Sequence, residues 1–111
     1  MDAQLQRRLL GLLGLGVRGR RAVVGVQQVR EAAFRGKLRL AVVAPDASRN
    51  SLDKVVPLLQ AKGIQYVEGP TAAELGAAVG RDATAAVGVV DSDLARGLRQ
   101  ILASGPGEGP A

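Results

Sequence analysis

The sequence predicts an α/β protein, a three-layer α/β/α sandwich with a four-stranded central sheet. Two observations predict it. Helical and strand spacings of apolar residues alternate along the chain in the order α-β-α-β-α-β-α-β-α, a pattern that places helices on both faces of one sheet. Two of the strand candidates are almost continuously apolar, as strands covered on both faces are. The length, 111 residues with 47% hydrophobic side chains, fits one domain over 1–103 with a core of its own.

Each element has a local reason. Leu5, Leu9, Leu10, Leu12 and Leu13 recur at helical spacing over residues 4–13, and glycines at 11, 14, 16 and 19 are expected to weaken and then end this helix. Ala22-Val23-Val24 is a short strand. Beyond Gly25, Val26 to Phe34 reads as a helix with Val29, Ala32 and Ala33 inward, closed by Gly36. Leu38 to Ala44 is the clearest strand, turned by Pro45 and Asp46. Asn50 is the expected N-cap of a helix reaching Lys62, with Asp53 favouring its dipole and Pro57 as an internal anomaly. Ile64 to Val67 is a strand. Thr71-Ala-Ala-Glu74 is a capping box that opens a helix to Val79. Thr84 to Val90 is the second buried strand. Asp91 or Ser92 caps a last helix with Leu94, Leu98, Ile101 and Leu102 on its apolar side. The Gly/Pro-rich run 104–111 is expected to be a disordered tail.

Composition excludes several chemistries. The chain has no Cys and no His, so disulfides, thiol nucleophiles, Cys/His zinc sites and imidazole acid–base catalysis are out. Phe34 and Tyr66 are the only aromatics, which makes the core aliphatic and leaves almost no platform for base stacking. Asp82, Asp91 and Asp93 lie near the last strand, where carboxylates cap helices or face water more readily than they catalyse. No catalytic residue, metal or cofactor is expected. No apolar run approaches the roughly twenty residues that a membrane span needs, and the protein is expected to be cytoplasmic.

Charge is uneven. The net charge is +5, but residues 1–40 hold nine basic and two acidic groups, and the remainder holds six basic and eight acidic. Twelve of the fifteen cations are arginines, which grip phosphate bidentately. A basic first third on a near-neutral body predicts a polyanion partner. Gly14-Leu-Gly16-Val-Arg-Gly19 matches a dinucleotide pattern, but a helix precedes it and a strand follows, the reverse of what that fingerprint requires. It is therefore expected to be a helix-to-strand loop. In the loop Val17-Arg18-Gly19-Arg20-Arg21, Arg18, Arg20 and Arg21 are candidates for phosphate contact. At Gly25 a strand passes into a helix whose first N–H groups suit an anion. Val26, Gln27 and Gln28 follow directly, and amide side chains read base edges as donor and acceptor together. If the arginine loop and the Gly25 junction lie at one end of the sheet, they form a single cationic rim.

These segments resemble a known family. The element order, the Gly25 junction and Ala32-Ala33-Phe34-Arg35-Gly36-Lys37 are similar to the kink-turn-binding ribosomal proteins, closest to their bacterial YlxQ-type members. Leu40 to Ser51, Glu74-Leu75-Gly76, Val79-Gly80-Arg81-Asp82 and Val87 to Asp91 agree as well, so the resemblance covers about residues 5–103. It implies binding of sharply bent, structured RNA through the glycine junction, the start of the next helix and the loop before the last strand. Carried over, that set is Gly25, Val26, Gln27, Gln28 and Glu31 with Arg81, Asp82, Ala83 and Thr84. Arg35 and Lys37 add phosphate contacts. Gln27 and Gln28 stand where the family tends to have Asn and Glu, Glu31 where it has Lys, and Arg81-Asp82-Ala83 where it has apolar residues. The expected protein is a monomeric, non-enzymatic RNA-binding module of the ribosome or another ribonucleoprotein. The alternative is a protein–protein adaptor on the same fold.

Overall fold

The structure is a computed structural model that describes residues 2–104. The predicted tail lies outside the described residues except for Ser104, which ends the last helix. The elements are α1 (Ala3–Arg18), β1 (Ala22–Val24), α2 (Val26–Phe34), β2 (Leu40–Val43), α3 (Arg49–Ala61), β3 (Tyr66–Glu68), α4 (Ala72–Ala78), β4 (Ala86–Val89) and α5 (Ser92–Ser104). The order matches the sequence reading. β1 spans the predicted residues. β2 and β4 are shorter than predicted at both ends, because paired backbone ends before the apolar run does, and β3 is shifted two residues later at its start and one at its end.

The sheet order is β1-β4-β2-β3. β4 lies between β1 and β2 and is antiparallel to both, while β2 and β3 are parallel. Every residue of β2 and β4 is buried, as strands covered on both faces must be. Side chains alternate between two cores, following the period of two. Leu40, Val42, Val87 and Val89 join Leu9 and Leu13 of α1, Leu75 of α4 and Leu94 and Leu98 of α5. Ala41, Val43 and Ala86 join Val29, Ala32 and Ala33 of α2 and Val55 and Leu59 of α3. The layers are therefore α1/α4/α5, sheet, and α2/α3. Among the described residues the core holds no buried polar or charged side chain, so apolar burial and close packing hold it together.

Helix α1 departs most from expectation. It begins at Asp2, whose carboxylate accepts the Leu5 N–H at 2.9 Å, and runs through Gly11, Gly14 and Gly16 to Arg18. A glycine inside a helix costs roughly 1 kcal/mol relative to alanine, and tertiary packing overrides that penalty at two of the three. A Cβ on Gly14 would stand 2.6 Å from the Ala78 carbonyl oxygen, and one on Gly16 would strike the Leu94 side chain. These glycines let α4 and α5 come close. The expected loop at Gly14–Gly19 is thus mostly helix.

One further expectation shifts. Ser48, not Asn50, caps α3, accepting the Ser51 N–H at 3.1 Å. Pro57 sits inside α3 at an exposed position, where water is at hand for the carbonyl that its missing N–H leaves unpaired. Thr71 and Glu74 form the predicted capping box, each side chain bonded to the other's backbone N–H. The Thr71 backbone N–H, its hydroxyl and Gln6 all favour the ionised Glu74 carboxylate, and its pKa falls below the ordinary carboxylate value. Asp91 caps α5, accepting the Leu94 N–H at 2.8 Å.

Two predictions follow from these contacts. A Cβ on exposed Gly11 meets nothing within 4 Å, so Gly11→Ala should raise stability by about 0.5–1 kcal/mol. Gly14→Ala should lower it, because its methyl group meets backbone. Equal denaturant midpoints for the two variants would refute this account of α1. Because the folded state lowers the Glu74 pKa, its contribution is present at neutral pH and lost as pH falls through the carboxylate range. Glu74→Gln, which keeps an acceptor in the box, should therefore be less stable than the parent at pH 7. That gap should shrink as pH falls through the carboxylate range and vanish only once the lowered Glu74 carboxyl is protonated, as thermal unfolding at several pH values would show.

Candidate nucleic-acid interface

The antiparallel pairing of β1 with β4 puts the end of β1 beside the start of β4. One carbonyl joins them. Ala86 O accepts the Gly25 N–H at 2.8 Å and the Thr84 hydroxyl at 3.2 Å. The β1–α2 junction and the α4–β4 loop, far apart in sequence, therefore form one surface.

Gly25 is fixed by conformation rather than by crowding. Its φ is +101° and ψ 156°, and a Cβ there would meet nothing within 4 Å. This backbone region is essentially closed to residues with a side chain. Gly25 is the N-cap of α2, with no side-chain cap and no acidic residue in the first turn. Val26 is half-buried, and Gln27 and Gln28 are exposed. The first turn therefore presents N–H groups, a partial positive charge and two amide side chains to solvent.

The α4–β4 loop is held from two sides. Gly80, at φ +80°, turns the chain so that the Arg81 N–H reaches the Gly76 carbonyl at 2.8 Å. A Cβ on Gly76 would stand 2.5 Å from Ala83 Cα, so glycine lets the loop lie back on α4. The Thr84 N–H donates to the Ala72 carbonyl, and the Ala44 N–H to that of Ala85. Asp46 accepts the Ala72 N–H at 2.8 Å and ties the β2–α3 loop to the same end. Arg81, Asp82 and Ala83 are exposed there and Thr84 is half-buried.

The structure thus brings Gly25, Val26, Gln27 and Gln28 together with the Arg81–Thr84 loop. Arg18 lines a shallow cavity of 330 Å³ with Val79 and Gly80, just before that loop. Arg20 and Arg21 do not join. The Arg21 carbonyl accepts the Val90 N–H at 2.9 Å, which places Arg21 at the start of β1 and the end of β4. Gly25 lies four residues further on, roughly 13 Å along an extended chain. The single cationic rim therefore does not form at one end of the sheet. Arg35 and Lys37 likewise follow the C-terminus of α2, away from its N-terminal turn.

Glu31 is not a bare negative charge. Its carboxylate pairs with Arg35 at 2.9 Å one helical turn on. On the outer side of α2, Arg30 and Lys62 stand 5.4 and 5.7 Å from the centroid of the exposed Phe34 ring, and Arg30 donates to the Lys54 carbonyl. Sequence reasoning missed Asp46, Gly76 and Arg30. The Pro-Asp turn was a signal for the first. The other two depend on contacts between elements, which no local pattern records.

The surface offers donors, amides and cations. Among the described residues no group of carboxylates could hold a metal ion, and no helix is long and apolar enough to cross a membrane. Comparison with known proteins identifies relatives of this chain. A sequence model of the ribosomal protein L7Ae/L30e/S12e/Gadd45 family matches residues 8–99. The RNA-binding protein YlxQ of Bacillus subtilis (strain 168) is 31% identical over 91 residues, covering 82% of this chain and 91% of that protein. A Bacillus halodurans C protein of unknown function superposes with a TM-score of 0.77 at 27% identity, over 86% of this chain and 96% of the other. The Giardia lamblia 15.5kD RNA binding protein superposes with the same TM-score at 22% identity, over 94% and 89%. The match to the family spans both loops that Ala86 joins, and the chain belongs to the L7Ae/L30e/S12e/Gadd45 family as a YlxQ-like member.

Proposed function

We propose that this chain is a non-enzymatic RNA-binding protein that recognises structured, kink-turn-like RNA, acting in the cytoplasm as a monomer within the ribosome or another ribonucleoprotein. The observation that carries this reading is the Ala86 carbonyl, which holds the uncapped start of α2 against the Thr84 loop. Membership in the family and the likeness to an RNA-binding relative support it.

The roles follow from the geometry. Gly25 lets RNA approach the backbone, and the first N–H groups of α2 meet phosphate or a base edge. Gln27 and Gln28 read exposed edges of unpaired or sheared bases. Thr84 and Ala83 form the opposite wall, and Arg81 adds a phosphate contact beside Asp82. Glu31 orients Arg35. An exposed i,i+4 pair is worth only about 0.3–0.5 kcal/mol, so a phosphate displaces the carboxylate from Arg35 at small cost.

The test is a titration against a kink-turn RNA and the same RNA with its G·A pairs replaced by Watson–Crick pairs, at two salt concentrations. The bent RNA should bind at least about tenfold tighter. Gln27→Ala with Gln28→Ala should cost about 1–3 kcal/mol of that preference, the worth of a good amide-to-base contact. Equal, salt-sensitive binding to both RNAs would remove kink-turn recognition and leave backbone binding. Absence of binding to either would overturn the RNA reading in favour of a protein adaptor.

A further inference from the structure

The sheet end opposite Gly25 carries its own cluster of cations. The Arg21 carbonyl accepts from Val90, and the Arg39 N–H donates to the Val89 carbonyl at 2.7 Å. Arg21 and Arg39 therefore flank the end of β4, one on each side, with Cα atoms about 10 Å apart by strand spacing. Arg99 reaches over from α5. Its guanidinium donates to the Gln65 side-chain oxygen and to the Arg39 carbonyl, both at 2.9 Å, and so holds the backbone at Arg39. Arg20 closes a turn in which its N–H reaches Val17 and that of Arg21 reaches Gly16. Arg20 takes the left-handed conformation, φ 61°, although Gly19 is its neighbour. Lys37 completes the group, lining a cleft beside Val90.

These cations have little internal employment. Arg20, Arg21 and Lys37 are exposed, and their side chains make no hydrogen bond or ion pair among the described residues. The nearby acids are committed elsewhere: Asp91 to the Leu94 N–H, Asp93 to Arg96 and Glu31 to Arg35.

We propose that this end is a second RNA-binding surface, which takes the phosphate backbone of an RNA arm leaving the Gly25 site. The inference rests on the RNA-binding reading. Its geometric warrant is the cleft along the β1 edge. Gln28, in the first turn of α2, and Lys37, beyond its last, line the same 170 Å³ cleft with Val23, Glu31, Arg35 and Val90. An arm that starts at Gln28 and follows this edge arrives at Lys37, with Arg21 and Arg39 flanking the end of β4 beside it. The chemistry favours phosphate over an acidic protein surface. Protein interfaces rely on buried aromatic and apolar anchors; of the exposed large hydrophobic residues, Phe34 lies under Arg30 and Lys62 and Leu15 stands on α1, and neither lines this cleft. Arginine forks without such an anchor suit phosphate, which positions RNA without reading its sequence.

The test compares one kink-turn RNA in short-armed and long-armed forms, with parent protein and with Arg21→Gln/Arg39→Gln. The parent should bind the long-armed RNA on the order of tenfold tighter. In the variant that ratio should fall to near one, and the slope of log affinity against log salt for the long-armed RNA should drop by about 1.5, as expected for two lost phosphate contacts. Thermal unfolding checks that the variant folds. Arg20→Gln/Lys37→Gln, which removes no side-chain hydrogen bond, is the second variant and should lower the ratio in the same way. An arm-length preference that is absent in the parent, or that survives both variants with an unchanged slope, overturns the second surface while leaving the Gly25 site standing. If the parent binds neither RNA, the RNA reading itself falls, and capture of an acidic protein by the same arginines becomes the competing explanation.

Discussion

The backbone pairing of β4 between β1 and β2 is the constraint on which the remaining architecture depends. Because β4 runs against both neighbours, its two ends are chemically different places. At its start, Ala86 accepts from Gly25 and the α4–β4 loop folds in. At its end, the Val90 N–H donates to the Arg21 carbonyl, and Val90 shares a cleft with Lys37. A parallel β4 would set Gly25 beside the end of β4 and separate the two loops that now share one carbonyl. The core requires this order as well, since all residues of β4 are covered on both faces. Gly88 fits there because a Cβ would strike Leu38 and press on Val29.

Much of this was legible from residue patterns. Element order, the Thr71–Glu74 box and the Gly25 junction follow from spacing, cap chemistry and a glycine between an apolar triplet and a helical run. Misreadings arose where tertiary contact outweighs local propensity. Gly14 and Gly16 look like helix breakers but serve as contact points for α4 and α5. Ser48 caps α3 two residues before the predicted position, because Ser48 and Asn50 are equally good caps in isolation. The single rim of the arginine loop and the Gly25 junction fails for a similar reason. Sequence proximity joins Arg21 to Gly25, and a three-residue strand holds them at opposite ends of the sheet.

The Glu31 position shows how local pairing changes the meaning of a charge. Taken singly, Glu31 opposes a polyanion. Paired with Arg35, it holds a guanidinium in the cleft that Gln28 and Lys37 also line. The pair is exposed and weak, so the same two residues present a closed ion pair to solvent and an available cation to phosphate.

The placement of β4 also governs when the surface comes into being during synthesis. β4 is the last strand in the chain, yet it is the partner that β1 and β2 both require. Until it emerges, β1 and β2 have no common neighbour, and Gly25 has no Ala86 to fix the start of α2. Long-range pairing of this kind is slow compared with local helix formation. A partly made chain therefore carries the arginines of its first third without the geometry that would direct them. Its positive charge comes before its geometry, and the surface around Gly25 is complete only when the last strand closes the sheet.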